Sequence, residues 1–358
     1  MRKFPLVLGT WLCCLAAARA VILLDTGDPD ANTTEPTGSL ADSGWQYEGE
    51  WGGLLGTPIA PNFFISAAHI GRAGDVFSFE GTEYHPVGVF SLAGSDFLIW
   101  KVAETFSTFA PLYTGSGEVG EHIVVIGRGT RRGSERILDN TLRGWNWGDG
   151  DQVQRWGEND IDGVVPYQGH DLLFANFDQH TTDGDRPNEC HLSVGDSGGA
   201  AYLNDGGTWK LVGTNSFVDG VYSAAADNTL FQAALFDARG YYTKDSNNMF
   251  VQIADANPVP TSFYLSRISS ELAWIASVIA NPQVGWENNK LTLTYWRLTA
   301  PSTDIVYEIV QSTDLASWTT ATPQEEISPP VGDLEQVKAT IDPGTSDHLF
   351  VRLKVTRP

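Results

Sequence analysis

From Trp51 to about Val251 the chain alternates short β-type runs with turns. The runs are NFFISA, DVFSFEG, YHPVGVFSL, DFLIWKV, HIVVIGRG and WKLVGTNSFV, and turns rich in Gly, Asp and Asn separate them. Short runs of this kind bounded by turn residues are typical of β-strands, and many short strands are typical of a sandwich or a barrel. The pattern therefore predicts an all-β fold for this region.

Helical periodicity becomes clear only in the segment SRISSELAWIASVIA. Its large aliphatic side chains fall on one helical face, and an Asn-Pro pair follows as a stop signal. The aliphatic residues of that face are Ile268, Leu272, Ile275 and Ile279. We therefore predict one amphipathic helix at the end of the long β region.

The pattern changes again after Pro282. The runs KLTLTYW, DIVYEIV, EQVKATI and HLFVRLKV alternate and are separated by Pro, Gly, Asp and Ser clusters. They predict a separate small β-sandwich at residues 282–358, for which a spacer or stabilising role is the simplest function. Tyr295, Trp296 and Trp318 belong either to its core or to an aromatic face that binds a glycan or another surface.

The first twenty residues have the three parts of a secretory signal peptide. Arg2 and Lys3 form a charged start, FPLVLGTWLCCLAAA an apolar core, and Ala18 to Ala20 an A-x-A cleavage site. The apolar run is short for a membrane span, and no later segment reaches about 18 apolar residues. We expect residues 1–20 to be removed on export, a secreted or periplasmic protein, and no membrane span.

Length, charge and cysteine content narrow the class of protein. The 358 residues suggest two domains, which we place at 21–281 and 282–358. The formal net charge of −22, without a basic stretch, argues against nucleic-acid binding. After signal removal only Cys190 remains, so no internal disulfide is possible, and we expect it to be a buried small apolar residue. A monomer without a cofactor is predicted.

Carboxylates and turn residues are concentrated between residues 144 and 190. The segments GWNWGDGDQVQRWGENDIDG and DQHTTDGDRPNEC contain most of them. Hard cations such as calcium take several oxygen ligands, so these loops are a candidate calcium site. No spacing of aspartates matches an EF-hand loop. Solvated loops are the favoured interpretation, and no metal site is predicted.

The segment CHLSVGDSGGA surrounds Ser197 with small, permissive backbone. A serine nucleophile needs a base, an acid that orients the base, and donors for an oxyanion. The amides of Gly195 and Ser197 are candidate donors. His69, at the end of an apolar run and beside two alanines, is the candidate base, and Asp96 precedes another apolar run. Taken singly, these residues also fit a tight turn, a core histidine and a strand cap.

Together these motifs resemble the trypsin-like serine proteases. ISAAHI resembles the family's T-A-A-H-C, SDFLIWKV its D-I-A-L-L strand, and GDSGG matches its nucleophile motif. Weaker matches are WGGLL, GRG at 127–129, WKLVGTNSF and the helical segment. The resemblance covers about residues 50–281 and does not include the final β-sandwich.

The resemblance implies a fold and a role for each matching residue. The implied fold is two six-stranded antiparallel β-barrels with the catalytic residues at their interface, followed by a C-terminal helix. His69 would be the general base and acid, Asp96 its orienting carboxylate and Ser197 the nucleophile. The amides of Gly195 and Ser197 would form the oxyanion hole, with Asp196 as a buried carboxylate beside them. A protein or peptide is the implied substrate.

Two features depart from the family. Ile70 and Trp51 occupy its usual cysteine positions, which agrees with the cysteine content. The I-V-G-G start is also missing, although in the family the new amino terminus pairs with the aspartate that Asp196 matches. Cleavage of the signal peptide would create a terminus at Val21-Ile22, and we hypothesise that it takes this place.

The resemblance also identifies a specificity pocket. The residue six positions before the serine, His191, would form its floor, and Ser216, Phe217 and Val218 would form one wall. Because trypsin-type preference for Lys or Arg needs an acid at the floor, we predict that it is absent. Valine in place of the family's glycine narrows the pocket and favours small apolar residues. The histidine alternatively favours acidic residues.

Two rival functions also fit parts of the sequence. Gly195-x-Ser197-x-Gly199 also fits the nucleophile elbow of α/β-hydrolases. That fold needs a histidine after the serine and many helices, whereas His348 is the only later histidine and one helix is predicted. The second rival is a secreted binding or adhesion protein on a protease scaffold. The intact set of three residues speaks against it.

Overall fold

The computed structural model describes residues 21–179, 186–299, 304–344 and 348–357. Almost all regular structure in these ranges is β, beginning with the short strand β1 (Ile22–Leu23). The all-β class predicted from the β-type runs is confirmed. The predicted signal peptide, residues 1–20, lies outside the described residues.

Seven antiparallel strands form the first large sheet. They are β2 (Gly49–Trp51), β3 (Leu54–Ala60), β4 (Phe63–Ala67), β5 (Phe77–Phe79), β6 (Thr82–Tyr84), β7 (Pro86–Ser91) and β8 (Phe97–Val102). Their order across the sheet is β6-β5-β2-β3-β4-β8-β7. The runs NFFISA and DFLIWKV become β4 and β8, whose register pairs Ile65 with Ile99 in the core. Short 3-10 helices lie at Gly38–Leu40, Trp45–Tyr47 and Ala68–Ile70.

The middle of the described chain supplies the strands of two further sheets and the short strand β15, which belongs to neither of them. They are β9 (His122–Gly127), β10 (Thr130–Leu138), β11 (Thr141–Gly150), β12 (Arg155–Asp160), β13 (Gly163–Tyr167), β14 (His170–Asn176), β15 (Cys190–His191), β16 (Ala200–Asp205), β17 (Thr208–Val218), β18 (Val221–Ser223), β19 (Leu230–Leu235), β20 (Tyr242–Lys244), β21 (Phe250–Gln252) and β22 (Ser262–Arg267). The second large sheet has the order β12-β9-β16-β17-β22-β14-β13. The accessory sheet, as we call it, has the order β10-β11-β19-β18-β20-β21.

Each large sheet contains seven strands, one more than the six expected for each barrel. The accessory sheet was not predicted as a separate sheet. It is built from two segments, residues 130–150 and 221–252, which join through the pairing of β11 with β19. The remaining short strand, β15, pairs with β1.

The α-helix α1 (Leu272–Ala280) follows β22 after a 3-10 turn at Ser269–Glu271. It begins later than the periodicity suggests, so that Ile268 lies before the helix although its side chain is buried. Asn281 adopts a left-handed conformation at the C-terminal end, as expected for an Asn-Pro stop. The predicted amphipathic helix is confirmed.

Two smaller sheets form the C-terminal part. Their strands are β23 (Gln283–Glu287), β24 (Lys290–Leu298), β25 (Val306–Ser312), β26 (Thr319–Thr320), β27 (Gln324–Ile327), β28 (Leu334–Ile341) and β29 (Phe350–Thr356). One sheet has the order β23-β24-β28-β27 and the other β26-β25-β29. Tyr295 is buried between them, so it is a core residue. Trp318 packs its ring against the Arg352 guanidinium, 4.2 Å from the ring centroid.

Candidate active site

The two large sheets bring three predicted residues into one hydrogen-bonded chain. His69 lies in the short helix after β4, Asp96 directly before β8, and Ser197 in the loop between β15 and β16. His69 Nδ1 lies 2.8 Å from Asp96 Oδ2, and His69 Nε2 lies 2.7 Å from Ser197 Oγ. With Nδ1 donating to the carboxylate, Nε2 is free to accept the serine proton. The geometry is that of a nucleophile, a base and an orienting acid.

Asp96 is held by more than the imidazole. Its Oδ1 accepts a hydrogen bond of 2.8 Å from the backbone N–H of His69, and its Oδ2 accepts one from Ser216 Oγ. Ser266 Oγ in turn donates to Ser216 Oγ over 3.3 Å. The carboxylate is 7% exposed, whereas the His69 side chain is 38% exposed. The Asp96 carboxylate is therefore held in place and shielded from water, whereas the His69 ring is accessible to solvent.

The loop around Ser197 depends on glycine at two positions. Gly195 has a φ of +95° and Gly198 a φ of +82°, a region that other residues rarely adopt. A Cβ on Gly198 would also lie 2.4 Å from Ser66 Oγ and 2.5 Å from the Leu55 carbonyl oxygen. Glycine is thus required next to the serine, because the first large sheet comes so close that a side chain at position 198 would collide with it.

The candidate oxyanion donors have no acceptor in the described part of the chain. Neither the amide of Gly195 nor that of Ser197 donates a hydrogen bond there, whereas the next amide, Gly198 N–H, donates to the Asn215 carbonyl over 3.1 Å. Two free amides beside a nucleophilic hydroxyl can stabilise a negative oxygen. The arrangement is suited to acyl transfer.

The Asp196 carboxylate holds this loop in place by accepting hydrogen bonds from several backbone N–H groups. Its Oδ1 accepts from Gly129 N–H over 2.6 Å and from the Val21 backbone nitrogen over 3.2 Å, and its Oδ2 accepts from Ser193 N–H over 2.7 Å. A Cβ on Gly127 would lie 2.1 Å from the carboxylate, so the GRG motif makes room for it. Burial raises the pKa of Asp196 to about 6, although these hydrogen bonds lower it.

The segment that follows Val21 is locked into the fold. Ile22 pairs with His191 and Leu23 with Cys190. Arg132 Nη1 donates to the Leu24 carbonyl over 2.7 Å, and its guanidinium stacks 3.7 Å from the centroid of the Trp145 ring. Sequence reasoning missed Arg132, because no local motif marks an arginine that binds backbone carbonyls far away in the chain.

The predicted pocket residues differ in burial: His191 is buried, whereas Phe217 and Val218 are partly exposed. His191 is fully buried and its ring contacts Phe177 and Phe263, and burial lowers the pKa of its imidazole to about 4. Its ring is therefore neutral near pH 7, which removes the charge that would favour acidic residues. Phe217 and Val218 are half-buried at the end of β17.

Ser216 acts through its hydroxyl on Asp96 and does not present that group to a pocket. Phe217 stacks on His69 with ring centroids 5.9 Å apart. On its other side it meets Tyr167, with centroids 5.1 Å apart. Tyr167 was not predicted. It is the last residue of β13, next to the turn that leads into β14, and no sequence motif marks it.

The described residues contain neither a metal-binding cluster nor a membrane-spanning helix. Among the described residues, no group of three or more His, Cys, Asp or Glu side chains is placed to hold a metal ion. Residues 180–185 of the candidate calcium loops lie outside the described residues. No helix in the described ranges is long and apolar enough to cross a membrane. Cys190 is buried and free, as predicted.

Comparison with known proteins gives structural similarities only. No family model matches the sequence. No characterised protein matches it at the level of sequence. The inactive form of Rv3671c from M. tuberculosis is similar in structure, with a TM-score of 0.37 and 14% identity, over 72% of this chain and 96% of that one.

Two further solved proteases show a comparable similarity. The HtrA-type protease AlgW has a TM-score of 0.36 and 10% identity, over 80% of this chain and 82% of its own. The murine norovirus NS6 protease has a TM-score of 0.28 and 14% identity, over 53% of this chain and 93% of its own. Since all three TM-scores are low, none of these similarities defines a function for the chain.

Proposed function

We propose that the chain is a serine endopeptidase that cleaves peptide bonds through an acyl-enzyme intermediate. The observation that carries the proposal is the hydrogen-bonded series Asp96, His69 and Ser197, with distances of 2.8 and 2.7 Å. Such a series allows a neutral imidazole to take the serine proton during attack. The two unoccupied amides at Gly195 and Ser197 support the same chemistry.

Each step of the reaction uses one of these groups. Ser197 Oγ attacks the carbonyl carbon of the peptide while its proton passes to His69 Nε2. The negative charge that forms on the carbonyl oxygen is stabilised by the two amides. His69 then gives the proton to the leaving nitrogen as the C–N bond breaks. Water, deprotonated by His69, hydrolyses the ester that remains on Ser197.

The proposal includes a route to the mature form. Removal of residues 1–20 would give Val21 a charged amino group at the position from which its nitrogen contacts Asp196 over 3.2 Å. That charge would compensate the buried carboxylate and hold the Gly195 loop in place. Export would then yield an active enzyme outside the cytoplasm without a further cleavage.

Small apolar side chains are the proposed preference before the cleaved bond. Val218 stands where the related proteases have glycine, and its side chain narrows the space beside Phe217. The neutral, buried state of His191 argues against a preference for acidic residues. Lys and Arg are not favoured before the cleaved bond, because the residue at the floor of the pocket is His191 and not an acidic residue.

The rival function is a binding or adhesion protein built on a protease scaffold. It predicts a folded protein whose Ser197 is unreactive. The C-terminal sheets, with their exposed Trp286, are compatible with either function.

Labelling with a fluorophosphonate probe tests the proposal, because the probe reacts only with an activated serine. We expect the mature chain to be labelled on Ser197, and the Ser197→Ala variant to remain unlabelled while unfolding at the same urea concentration. Mass spectrometry of a tryptic digest of the labelled protein identifies the modified residue. A folded wild type that takes up no label would refute the protease function and favour the binding or adhesion protein.

The same preparation tests the substrate class. Peptides that differ only in Ala or Phe before the cleaved bond should be hydrolysed in the order Ala well above Phe. The reverse order would refute the narrowing of the pocket by Val218 without affecting the labelling result.

A further inference from the structure

The hairpin turn at residues 167–170, where β13 ends and β14 begins, contacts both the ring that packs on His69 and the loop that precedes Asp96. On one side Tyr167 packs on Phe217, which stacks on His69. On the other side, the Gln168 carbonyl lies against Gly94, where an added Cβ would be 3.0 Å away. A turn of the second large sheet thus contacts the loop that leads into Asp96 on the first.

His170 makes the polar contacts of this turn. Its Nε2 lies 2.9 Å from the carbonyl oxygen of Ala93, three residues before Asp96. Its Nδ1 lies 2.8 Å from Glu271 Oε1, in the 3-10 turn before α1. Both partners are acceptors when the Glu271 carboxylate is ionised. Both ring nitrogens must then carry hydrogen, so the complete bridge requires the imidazolium form.

The charges around His170 favour that form. Burial of the ring works against the charged state, but the hydrogen bonds that the ring donates to Glu271 and to the Ala93 carbonyl outweigh it and raise the pKa of His170. Asp171 on the same strand adds to the effect and is itself paired with Arg267 on β22, at 3.2 Å. The loop of residues 92–95, Leu-Ala-Gly-Ser, brings no ionisable side chain.

The position of Asp96 depends on this loop. The Asp96 carbonyl accepts from the Ala68 N–H over 2.7 Å, and its carboxylate orients the His69 ring. A displacement of the loop would therefore shift the acid and the base together. Misplacement of catalytic groups by about 1 Å lowers rates by about a hundredfold.

We propose that His170 is a positioning residue that, as an imidazolium, ties the loop carrying Asp96 to Glu271 and keeps the Asp96–His69 pair aligned with Ser197. The proposal rests on the proposed serine-hydrolase function. As the pH rises through the pKa of His170, the ring loses one proton and with it one of the two hydrogen bonds. The reaction rate then falls on the alkaline side.

The test measures the second-order rate of fluorophosphonate labelling from pH 5 to pH 10. Wild type should show an alkaline limb. His170→Gln should be about tenfold slower at pH 7 and lack the part of that limb that His170 causes, because an amide does not titrate and its one nitrogen cannot reach both partners. Any fall in rate that follows loss of the Val21 amino charge is common to wild type and variant. His170→Lys should recover most of the rate, again without the part of the limb that His170 causes, since lysine stays charged to about pH 10.

Two further variants separate positioning from general damage. Glu271→Gln should move the alkaline limb to lower pH, because the loss of the carboxylate lowers the pKa of His170. His85→Gln is the matched control: His85 makes a similar 2.7 Å contact with Glu104 on the exposed surface, and its profile should equal that of wild type.

The proposal is overturned if His170→Gln keeps the wild-type rate and limb, or if His170→Lys is as slow as His170→Gln. An unmoved limb in Glu271→Gln has the same meaning and does not depend on how the His170 variants fold. Wild type that is not labelled at any pH would instead refute the serine-hydrolase function, and a rate difference among labelled variants cannot be confused with that result.

Discussion

Glu48 is a carboxyl group enclosed by the core. Its Oε1 accepts from Tyr202 Oη over 2.8 Å and from Thr57 Oγ1 over 3.1 Å, while its Oε2 meets no partner among the described residues. Burial raises the pKa of Glu48 to about 8, although the two hydroxyl donors lower it. The folded protein therefore holds this group as the neutral acid near pH 7.

This shift makes stability depend on pH. The pKa in the folded state lies above the ordinary value of 4.5, so the folded state binds the proton more tightly than the unfolded state does. The contribution is complete at low pH and is lost as the pH rises from about 4.5 through about 8. Its full size is on the order of 5 kcal/mol.

Replacing Glu48 by glutamine should remove that dependence. We expect wild type to lose free energy of unfolding between pH 6 and pH 9, and Glu48→Gln to lose clearly less, measured by urea titration at both values. Glu83→Gln, at an exposed position of β6, should behave like wild type. Equal losses in wild type and Glu48→Gln would show that Glu48 does not titrate in this range.

The residues of the candidate site differ in how far sequence predicts them. His69, Asp96 and Ser197 each adjoin an apolar run with a recognisable motif, so they could be found without coordinates. His170 and Glu48 carry no motif, and their partners lie 101 and 154 positions away. Ser216 was found but given another role, because a motif marks a position and does not say where a hydroxyl points.

At the scale of elements, the strands that sequence predicts well are the buried ones. The strands β4, β8 and β9 are continuous apolar runs whose residues are nearly all buried. The accessory sheet escapes prediction because β10 is polar and none of its residues is buried. It is stabilised by contacts that have no period, such as the Arg136 guanidinium 3.7 Å from the centroid of the Phe231 ring.

The strand β1 gives an element-scale prediction about the amino terminus. A chain that begins at Val21 should be labelled by the fluorophosphonate at least about tenfold faster than one that begins at Ala20. An extra residue moves the amino group about 3.8 Å away from Asp196, and a buried carboxylate without its counter-charge is unfavourable. Both chains are released from a removable leader and compared at pH 7.5.

Asp196→Asn in the chain beginning at Val21 serves as the control, because it removes the carboxylate and keeps a side chain of the same shape. It should be as slow as the extended chain. Equal rates for the chains beginning at Val21 and at Ala20 would show that the charge of the terminus has no role in arranging the Gly195 loop.

At the scale of the whole molecule, one hydrophobic core spans the predicted domain boundary. The buried side chains of α1 share a cluster with Phe97 and Leu211 of the large sheets and with Leu298 and Leu334 of the C-terminal sheets. The change of pattern at Pro282 marks a real change of element, since α1 ends there and small sheets begin. Sequence patterns cannot show that the apolar face of a helix is shared by the parts on either side.

Leu334→Ala tests whether the two parts unfold together. Leu334 is 1% exposed, and truncating a buried leucine costs about 2–5 kcal/mol. Because Leu334 belongs to the same cluster as Phe97, which follows Asp96, the loss should lower the urea midpoint of the entire described fold. The measurement follows unfolding by far-UV circular dichroism and, in parallel, by the loss of Ser197 labelling at each urea concentration. Both curves should shift together.

Leu315→Ala is the matched control, since it makes the same change at a side chain that is 57% exposed, in the loop between β25 and β26. It should change the free energy of unfolding by less than about 0.5 kcal/mol. A Leu334→Ala protein that unfolds in two steps, with the labelling curve unmoved, would mean that the sheets after Pro282 fold apart from the site. Coincident shifts would mean instead that they are part of the scaffold that aligns His69 with Ser197, so that substitutions in the C-terminal sheets reach the chemistry through α1.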